Sequence, residues 1–249
     1  MENPLVSVII PTFNNATYIK TAIESVLIQD IDIEIIVVND CSTDDTDRIV
    51  EQYLKYPFFK YIKSTYNEGV AVSRNKGIDI AKGKYIAYLD ADDWWVENKL
   101  KKQIELLESA SAVLCYTARY IISDNGFDII GIIKVPNVIN YRKLLYHNCI
   151  SCSSVVILTE VARHYKMRCD YCHEDFLNWL TILKKYNLAY GINEPLLMYR
   201  MSKNGKSRNK FKSAKMTFDV YRNIGCSKFR SCYFTLSHLI HGLIKYNIY

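Results

Sequence analysis

Long hydrophobic runs are missing from this 249-residue sequence, and none approaches the roughly 20 residues that a membrane-spanning helix requires. No basic stretch precedes an apolar one in residues 1–4, so the sequence indicates no signal peptide and predicts a cytoplasmic protein. The eight cysteines are then expected to be mostly reduced thiols. Internal repeats and low-complexity segments are also missing. With 49% hydrophobic and 23% charged residues, the composition is that of a soluble globular protein.

Two glycine-rich phosphate-binding motifs are absent as well. No GxGxxG follows the first apolar stretch, and no GxxxxGK[ST] occurs anywhere in the sequence. Both motifs work by letting backbone N–H groups approach phosphate oxygens at the start of a helix. Their absence disfavours a Rossmann dinucleotide-binding protein and a P-loop enzyme.

Acidic residues are scarce in the last fifty positions, where eleven Lys or Arg residues accompany only Asp219. The first 199 residues carry 21 basic and 25 acidic side chains, so the net charge of +6 is concentrated in the tail. A basic, aromatic-rich tail suits an anionic membrane surface, a diphosphate or a nucleic acid, and a solvated face without a partner is also compatible. Apolar residues recur in the tail at helical spacing, typical of packing or of membrane-surface contact, at Phe229, Tyr233, Leu236, Ile240 and Leu243.

Strand and helix signals alternate through the first half of the chain. Apolar runs rich in β-branched residues occur at 6–10, 33–38, 58–62 and 85–89, and we expect Pro11 to end the first of them. Helical periodicity fills the intervals between these runs. Strands separated by single helices indicate right-handed crossovers and a parallel sheet, so the sequence predicts an α/β fold.

Polar residues follow each predicted strand, at Pro11-Thr12-Phe13-Asn14, Asn39-Asp40, Asn67-Glu68-Gly69 and Asp90-Ala91-Asp92-Asp93. Because the carboxyl ends of parallel strands meet at one edge of a sheet, we expect these residues to converge there. Asp90 and Asp92 are separated by one small residue, so both can reach a shared hard cation through oxygen ligands. The alternative is that Asp92 or Asp93 merely caps the helix that follows.

The second half is less regular. A helical pattern covers residues 98–108, and strands are predicted at 112–122 and 153–158. The segment HEDFLNWL at 173–180 places two adjacent acids, Glu174 and Asp175, at the start of a helix whose apolar face can seat in the core.

Four segments together resemble a known enzyme family: SVIIPTFNN, VVNDCSTDDT, NEGVAVSRNKGIDIAKGKYIAYLDADD and HEDFLNW. In this order and spacing they resemble the inverting glycosyltransferases of family 2, over roughly residues 5–200. The resemblance implies a GT-A fold, with a Rossmann-like, mostly parallel central sheet flanked by helices and a C-terminal helical appendage. It predicts a domain at 1–205, divided into a nucleotide-binding half (1–97) and an acceptor-binding half (98–205), and a basic helical tail at 206–249.

The resemblance also assigns roles to individual residues. The nucleotide-sugar site is expected to comprise Pro11, Thr12, Phe13, Asn14, Asp40, Asn67, Arg74, Asp90, Ala91 and Asp92. In the family's pattern Asp40 receives the uracil ring N–H, Asp90 meets the ribose and Asp92 binds the metal. Arg74 suits a diphosphate because a guanidinium presents its donors in a fixed fork. Asp175 matches the catalytic base.

The implied reaction moves a sugar from a UDP-sugar to a glycan or lipid-linked acceptor, in cell-surface polysaccharide biosynthesis. A divalent cation, Mn²⁺ or Mg²⁺, held by Asp92 neutralises the leaving diphosphate. Asp175 deprotonates the attacking hydroxyl in line, so single displacement inverts the anomeric centre. The basic tail hints at a peripheral position on the inner face of the membrane, and no nucleic acid partner is expected.

Two other functions are weighed against this one. A nucleotidyltransferase could use the same acidic crevice, but it leaves the HEDFLNW segment unexplained. A non-catalytic module binding a nucleotide-sugar or zinc is disfavoured by the retention of Asp40, Asp90, Asp92 and Asp175.

The sequence departs from the family pattern in one loop and carries one unusual cysteine spacing. Family members often have a histidine after the strand corresponding to residues 196–199, but residues 200–207 contain none, so either a lysine replaces its phosphate contact or the metal shell is thinner. The spacing of Cys149, Cys152, Cys169 and Cys172 fits a four-cysteine zinc site. Four unconnected thiols are the alternative that we favour, because a strand beside the first pair would point its two side chains apart.

Overall fold

The computed structural model describes residues 4–124, 126, 128–168, 171–201 and 209–246. The strands in these ranges are β1 (Val6–Thr12), β2 (Ile33–Asn39), β3 (Phe59–Lys63), β4 (Tyr85–Tyr88), β5 (Trp94–Trp95), β6 (Leu114–Ile122), β7 (Ile129–Ile133), β8 (Val138–Asn140), β9 (Val156–Leu158) and β10 (Leu188–Arg200). The helices are α1 (Ile19–Leu27), α2 (Thr46–Glu51), α3 (Val70–Ile80), α4 (Lys99–Ser109), α5 (Tyr141–Leu144), α6 (Thr159–His164), α7 (Glu174–Tyr186), α8 (Lys210–Asn223) and α9 (Lys228–Tyr246).

One sheet runs through the whole protein in the order β3-β2-β1-β4-β9-β6-β10-β5, with β7 on β6 and β8 on β10. Strands β1 to β4 are mutually parallel, and β6 is parallel to β10. The short strand β9 is antiparallel to both β4 and β6, so the two parallel groups point the same way. The predicted α/β class with a mostly parallel central sheet is confirmed.

The prediction that Pro11 ends the first strand is wrong, because β1 continues to Thr12 in register with β2. The carbonyl of Ile9 accepts from Leu89 on the β4 side, so Pro11, two residues on, also faces that side. Pairing with β4 has stopped at Ile9. The hydrogen-bond ladder between β1 and β4 therefore needs no backbone N–H at position 11, the group that proline lacks.

The sheet has a hydrophobic core on each face, because side chains alternate along its strands. Val8 and Ile10 pack with α1 and α4 on one face, whereas Ile9 packs with α3 and α7 on the other. All residues of β1 are buried, as expected for a central parallel strand that is covered by a core on each face.

The last two helices pack beside α7. The ring of Tyr221 in α8 lies 5.8 Å from that of Phe176, and its hydroxyl donates to the carbonyl of Leu145 at 2.7 Å. Among the described residues, no helix combines the length and apolarity needed to cross a bilayer. The division at residues 97 and 205 stays a prediction, and residue 205 lies outside the described residues.

Candidate active site

Asp40 joins the loops that follow three strands. Its backbone N–H donates to the carbonyl of Thr12, and its two carboxylate oxygens accept from the N–H groups of Glu68 and Gly69 at 2.8 and 2.7 Å. Gly69 has a φ of 92°, which side-chain-bearing residues rarely adopt, so glycine permits this turn at the start of α3. Each carboxylate oxygen keeps a further lone pair, which leaves Asp40 able to accept from a base N–H. Asn67 is exposed beside this turn.

The loop after β1 is fastened to the loop after β2. Asn14 has a left-handed backbone, its N–H donates to the Ser42 hydroxyl at 2.9 Å, and its side-chain oxygen accepts from the N–H of Thr43 at 2.8 Å. Pro11 and Thr12 are buried, whereas the ring of Phe13 is exposed. This loop therefore presents one aromatic ring on a fixed backbone, an arrangement suited to a planar base.

The acidic cluster after β4 holds carboxyl groups whose pKa values are raised. Burial and the neighbouring charge of Asp90 raise the pKa of Asp92 to about 6. Burial, followed by the charges of Asp92 and Asp90, raises the pKa of Asp93. Ala91 is buried between them, and the backbone N–H of Asp90 donates to the hydroxyl of Ser153. Crowded carboxylates of this kind favour a bound cation because it removes their mutual repulsion.

The alternative that Asp92 or Asp93 caps the following helix is wrong. Helix α4 begins only at Lys99, with Asn98 at its N-cap position. The buried carboxylate of Asp93 instead accepts from the backbone N–H of Arg200 at 3.0 Å, at the end of β10. Asp93 thus anchors the acidic loop to β10, which follows more than a hundred positions later in the sequence.

Arg74 connects the acidic cluster to the start of α7. Its guanidinium is buried, with Nη2 2.6 Å from Oδ1 of Asp90 and Nη1 2.9 Å from Oε1 of Glu174. The sequence pattern did not predict this bridge. The adjacent acids at the start of a helix signalled a site there, but they did not identify a partner for Glu174. Contact between Arg74 and a diphosphate stays a prediction.

Asp175 lies next to that bridge, at the start of α7. Its Oδ1 accepts from the N–H of Phe176 at 2.7 Å. Burial first and the charge of Glu174 second raise the pKa of Asp175, whereas the positive charges of His173 and Arg74 oppose the rise. The sequence-predicted base and the acidic loop therefore belong to one electrostatic environment.

The buried thiol of Cys152 marks where the two halves of the site meet. Burial raises its pKa, the charge of Arg74 opposes the rise, and the charges of Asp90, Asp175 and Glu174 add to it. These charges come from α3, the loop after β4 and the start of α7. Cys152 thus lies within electrostatic reach of residues predicted to handle the donor and the acceptor.

The four-cysteine spacing gains no support as a zinc site. Cys149 lies with its sulfur 3.9 Å from the Tyr116 hydroxyl, and Cys152 lies in the site just described. Cys169 is outside the described residues. Within the ranges that the structure describes, no group of three or more His, Cys, Asp or Glu side chains is arranged to hold a metal.

A divalent cation fits the acidic loop with only partial protein ligation. Asp92 would supply a carboxylate oxygen, the donor type that Mg²⁺ and Mn²⁺ prefer, and substrate phosphates commonly supply further ligands to such ions. The predicted loop without histidine, residues 200–207, is described only at Arg200 and Met201. Arg200 donates from Nε to the carbonyl of Asp92 at 3.1 Å, and its guanidinium lies 4.2 Å from the ring centre of Tyr18.

The C-terminal helices support the start of α7. The Nε2 atom of His173 lies 3.1 Å from the hydroxyl of Ser213 in α8. On the next turn Phe176 contacts Tyr221 and, at 5.4 Å between ring centres, His238 of α9. No local sequence pattern predicts these contacts, because they join segments that are distant in the chain.

Comparison with known proteins decides the family. The sequence profile described as "Glycosyl transferase family 2" matches residues 7–161. The chain belongs to glycosyltransferase family 2. This glycosyltransferase is 40% identical to TuaG of Bacillus subtilis, named as a teichuronic acid biosynthesis glycosyltransferase, over 89% of this chain and 88% of TuaG. It is 36% identical to the Escherichia coli UDP-Glc:α-D-GlcNAc-diphosphoundecaprenol β-1,3-glucosyltransferase WfaP, over 97% of this chain and 95% of WfaP.

Solved structures confirm the GT-A fold of this family 2 glycosyltransferase. S. aureus TarS 1-349 in complex with UDP-GlcNAc superposes with a TM-score of 0.74 at 20% identity, over 94% of this chain and 71% of the TarS chain. The Pyrobaculum calidifontis mannosyltransferase PcManGT, in complex with GDP-Man and Mn²⁺, gives 0.69 at 18% identity, over 95% and 69%. At these identities the likeness is one of fold alone.

Proposed function

We propose that this glycosyltransferase transfers a sugar from a UDP-sugar to a lipid-linked saccharide, by metal-assisted single displacement with inversion, in cell-surface polysaccharide biosynthesis. One observation carries the mechanism: Arg74 holds Asp90 and Glu174 on one guanidinium, so the acidic loop and the predicted base Asp175 belong to one site. The substrate classes rest on the names of TuaG and WfaP.

The donor binds along the strand ends of residues 1–97. Asp40, held by the N–H groups of Glu68 and Gly69, would receive the uracil N–H, and the exposed ring of Phe13 would stack on the base. Asp90 meets the ribose, and Asp92 with the donor's phosphate oxygens would hold Mn²⁺ or Mg²⁺. The bound cation supplies charge neutralisation for the departing UDP.

The acceptor approaches the start of α7, within residues 98–205. Asp175 takes the proton from the attacking hydroxyl as the new glycosidic bond forms and the bond to UDP breaks, which inverts the sugar. A raised pKa makes Asp175 a stronger base than an ordinary aspartate. Arg74 and His173 oppose that rise.

A lipid-linked acceptor places the reaction beside a membrane. We assign the protein to the cytoplasm, at the inner face of the cell membrane. The tail at 206–249, with its excess of basic residues, is the part of the chain whose charge suits that position.

The test is a screen of UDP-sugars against a synthetic GlcNAc-diphosphate-lipid acceptor, with Mn²⁺ or Mg²⁺ and a chelator control. We expect stoichiometric UDP release and glycoside formation, with the anomeric configuration of the product inverted in its NMR spectrum. A product of retained configuration would contradict the single displacement. Release of a sugar 1-phosphate in place of UDP, with UMP transferred to the acceptor, would favour the nucleotidyltransferase instead.

A further inference from the structure

The outward side of α9 is an apolar stripe. Phe229, Tyr233, Leu236 and Ile240 are 83%, 55%, 59% and 47% exposed. Their spacing of four, three and four positions aligns them along one side of a helix with 3.6 residues per turn. Four large apolar side chains in one line are more than the scattered exposed residues of an ordinary surface.

The inward side of the same helix is made largely of small and polar residues. Ser231 and Thr235 are buried, and the Thr235 hydroxyl donates to the Ser231 carbonyl at 2.7 Å. Phe234 and His238 complete the contacts, against Tyr146 and Phe176 respectively. Helix α9 is therefore turned with its main apolar face away from the protein. The packing interpretation of the sequence pattern is wrong for Phe229, Leu236 and Ile240, whereas Tyr233 keeps an edge contact with Tyr146 at 6.3 Å between ring centres. The side chain of Leu243 lies outside the described ones.

The charges beside the stripe indicate what covers it. Lys228 and Arg230 are exposed and flank Phe229, about 100° to either side on the helix. Residues 210–246 contain seven Lys or Arg and one acid, Asp219. A second copy of this surface would bring like charges together, which disfavours self-association. An anionic bilayer instead accepts the apolar side chains among its acyl chains and the basic ones among its headgroups.

We propose that α9 docks this glycosyltransferase on an anionic lipid bilayer, lying in the interface with Phe229, Tyr233, Leu236 and Ile240 immersed. The same helix contacts Phe176, the neighbour of Asp175, through His238 on its inner side. Docking thus puts α9 between the lipid surface and α7, the helix that bears the proposed base. A lipid-linked acceptor resides at that surface.

Flotation of the full chain with lipid vesicles tests the docking. We expect binding to mixed phosphatidylcholine–phosphatidylglycerol vesicles, little binding to phosphatidylcholine alone, and weaker binding as ionic strength rises. Leu236→Ser/Ile240→Ser should lower the partition coefficient at least about tenfold, because two large apolar side chains no longer enter the bilayer. Leu54→Ser is the matched control, since Leu54 is 50% exposed and lies after α2.

A second pair of variants separates lost charge from lost structure. Lys228→Gln should weaken binding about fivefold, whereas Lys101→Gln, an exposed lysine of α4, should not. Binding is measured without donor or acceptor, so its result is independent of whether the proposed transfer occurs. Undiminished binding of the Leu236→Ser/Ile240→Ser protein, or an equal loss in Leu54→Ser, would overturn the docking surface. A dimer in analytical ultracentrifugation that the stripe variant abolishes, without vesicle binding, would assign the stripe to a second copy.

Discussion

Arg74 and Glu174, one hundred positions apart in the sequence, form a buried ion pair with 2.9 Å between Nη1 and Oε1. Both side chains are almost wholly removed from water. Their pairing holds α3 against α7, which carries the proposed base. Removing either side chain takes away the counter-charge of the other one, which stays buried.

Replacement of Arg74 should therefore be costly. We expect Arg74→Ala to lower the free energy of unfolding by about 3–5 kcal/mol, because Asp90 and Glu174 both lose the buried guanidinium that they share. Urea unfolding provides the measurement. Lys166→Ala is the control, since the Lys166–Asp79 pair is exposed and should be worth less than about 1 kcal/mol. Equal losses in the two variants would show that the bridge is not a buried, stabilising pair.

Asp175→Asn should lower kcat about 10²- to 10⁴-fold with little change in donor KM, because the amide cannot take the acceptor's proton. Asp79→Asn, an exposed aspartate of α3, is the control. In the parent enzyme the base must be ionised, so activity falls as pH drops below its pKa. The raised pKa of Asp175 moves that fall to higher pH than for an aspartate of ordinary pKa, about 3.9.

The pH profile of kcat also tests whether Arg74 acts on Asp175 through its charge or only supports the structure. Because the charge of Arg74 lowers the pKa of Asp175, Arg74→Gln should move the acid limb of the kcat profile to still higher pH. Arg74→Lys keeps the charge and should leave that limb nearly in place, although a single ammonium cannot reproduce both guanidinium contacts. An unmoved limb in Arg74→Gln would contradict the electrostatic link to Asp175.

Asp92 should make thermal stability respond to metal and nucleotide together. We expect Mn²⁺ with UDP to raise the melting temperature of the parent protein, because ligands that bind only the folded state stabilise it. In Asp92→Asn the additional increment due to Mn²⁺ should disappear, and chelation should abolish transfer in the parent enzyme. Full activity in the presence of chelator would remove the metal from the mechanism.

Lys99 should make the protein more stable at alkaline pH. It is buried over the ring of Trp95, with Nζ 3.9 Å from the ring centre, and burial lowers its pKa to about 7. An unfolded lysine keeps its proton to a pH of about 10.4, so between pH 7 and 9 the unfolded state binds more protons. The free energy of unfolding should therefore rise by about 2 kcal/mol over this window through Lys99 alone.

Urea unfolding at several pH values checks this dependence. Lys99→Met should remove the rise, and the matched substitution Lys101→Met on the exposed side of α4 should retain it. The difference between the two variants isolates Lys99 from other groups that titrate in the same range. An identical pH dependence in both would show that Lys99 keeps its proton in the folded protein.

The sheet and its functional edge were predictable because local patterns determine them. Apolar runs separated by helical periods predicted β1 to β4, and the parallel-strand rule then placed Asp40 and Asp90 at one edge. The alternative of a helix cap at Asp93 was wrong because the partner of Asp93, the N–H of Arg200, belongs to a strand more than a hundred positions later in the sequence. No local pattern encodes that return of the chain.

Helix α9 shows a second limit of sequence reasoning. Helical spacing reveals an apolar stripe but not whether the stripe faces the protein or the solvent. The orientation is settled by Ser231 and Thr235, whose small side chains let the helix approach the rest of the protein closely. The domain boundaries, the metal role of Asp92 and the catalytic role of Asp175 stay predictions.

The support of α7 by α8 and α9 has a consequence for how the enzyme matures during synthesis. His173 contacts Ser213, and Phe176 rests on Tyr221 and His238, so the outer side of the base helix is supplied by later segments of the chain. A nascent chain that has emerged only as far as α7 still exposes Phe176 and has not yet fixed Asp175. Translation thus completes the edge formed by β1 to β4 first and the surroundings of Asp175 last, so any step that depends on Asp175 requires residues 209–246 to have left the ribosome.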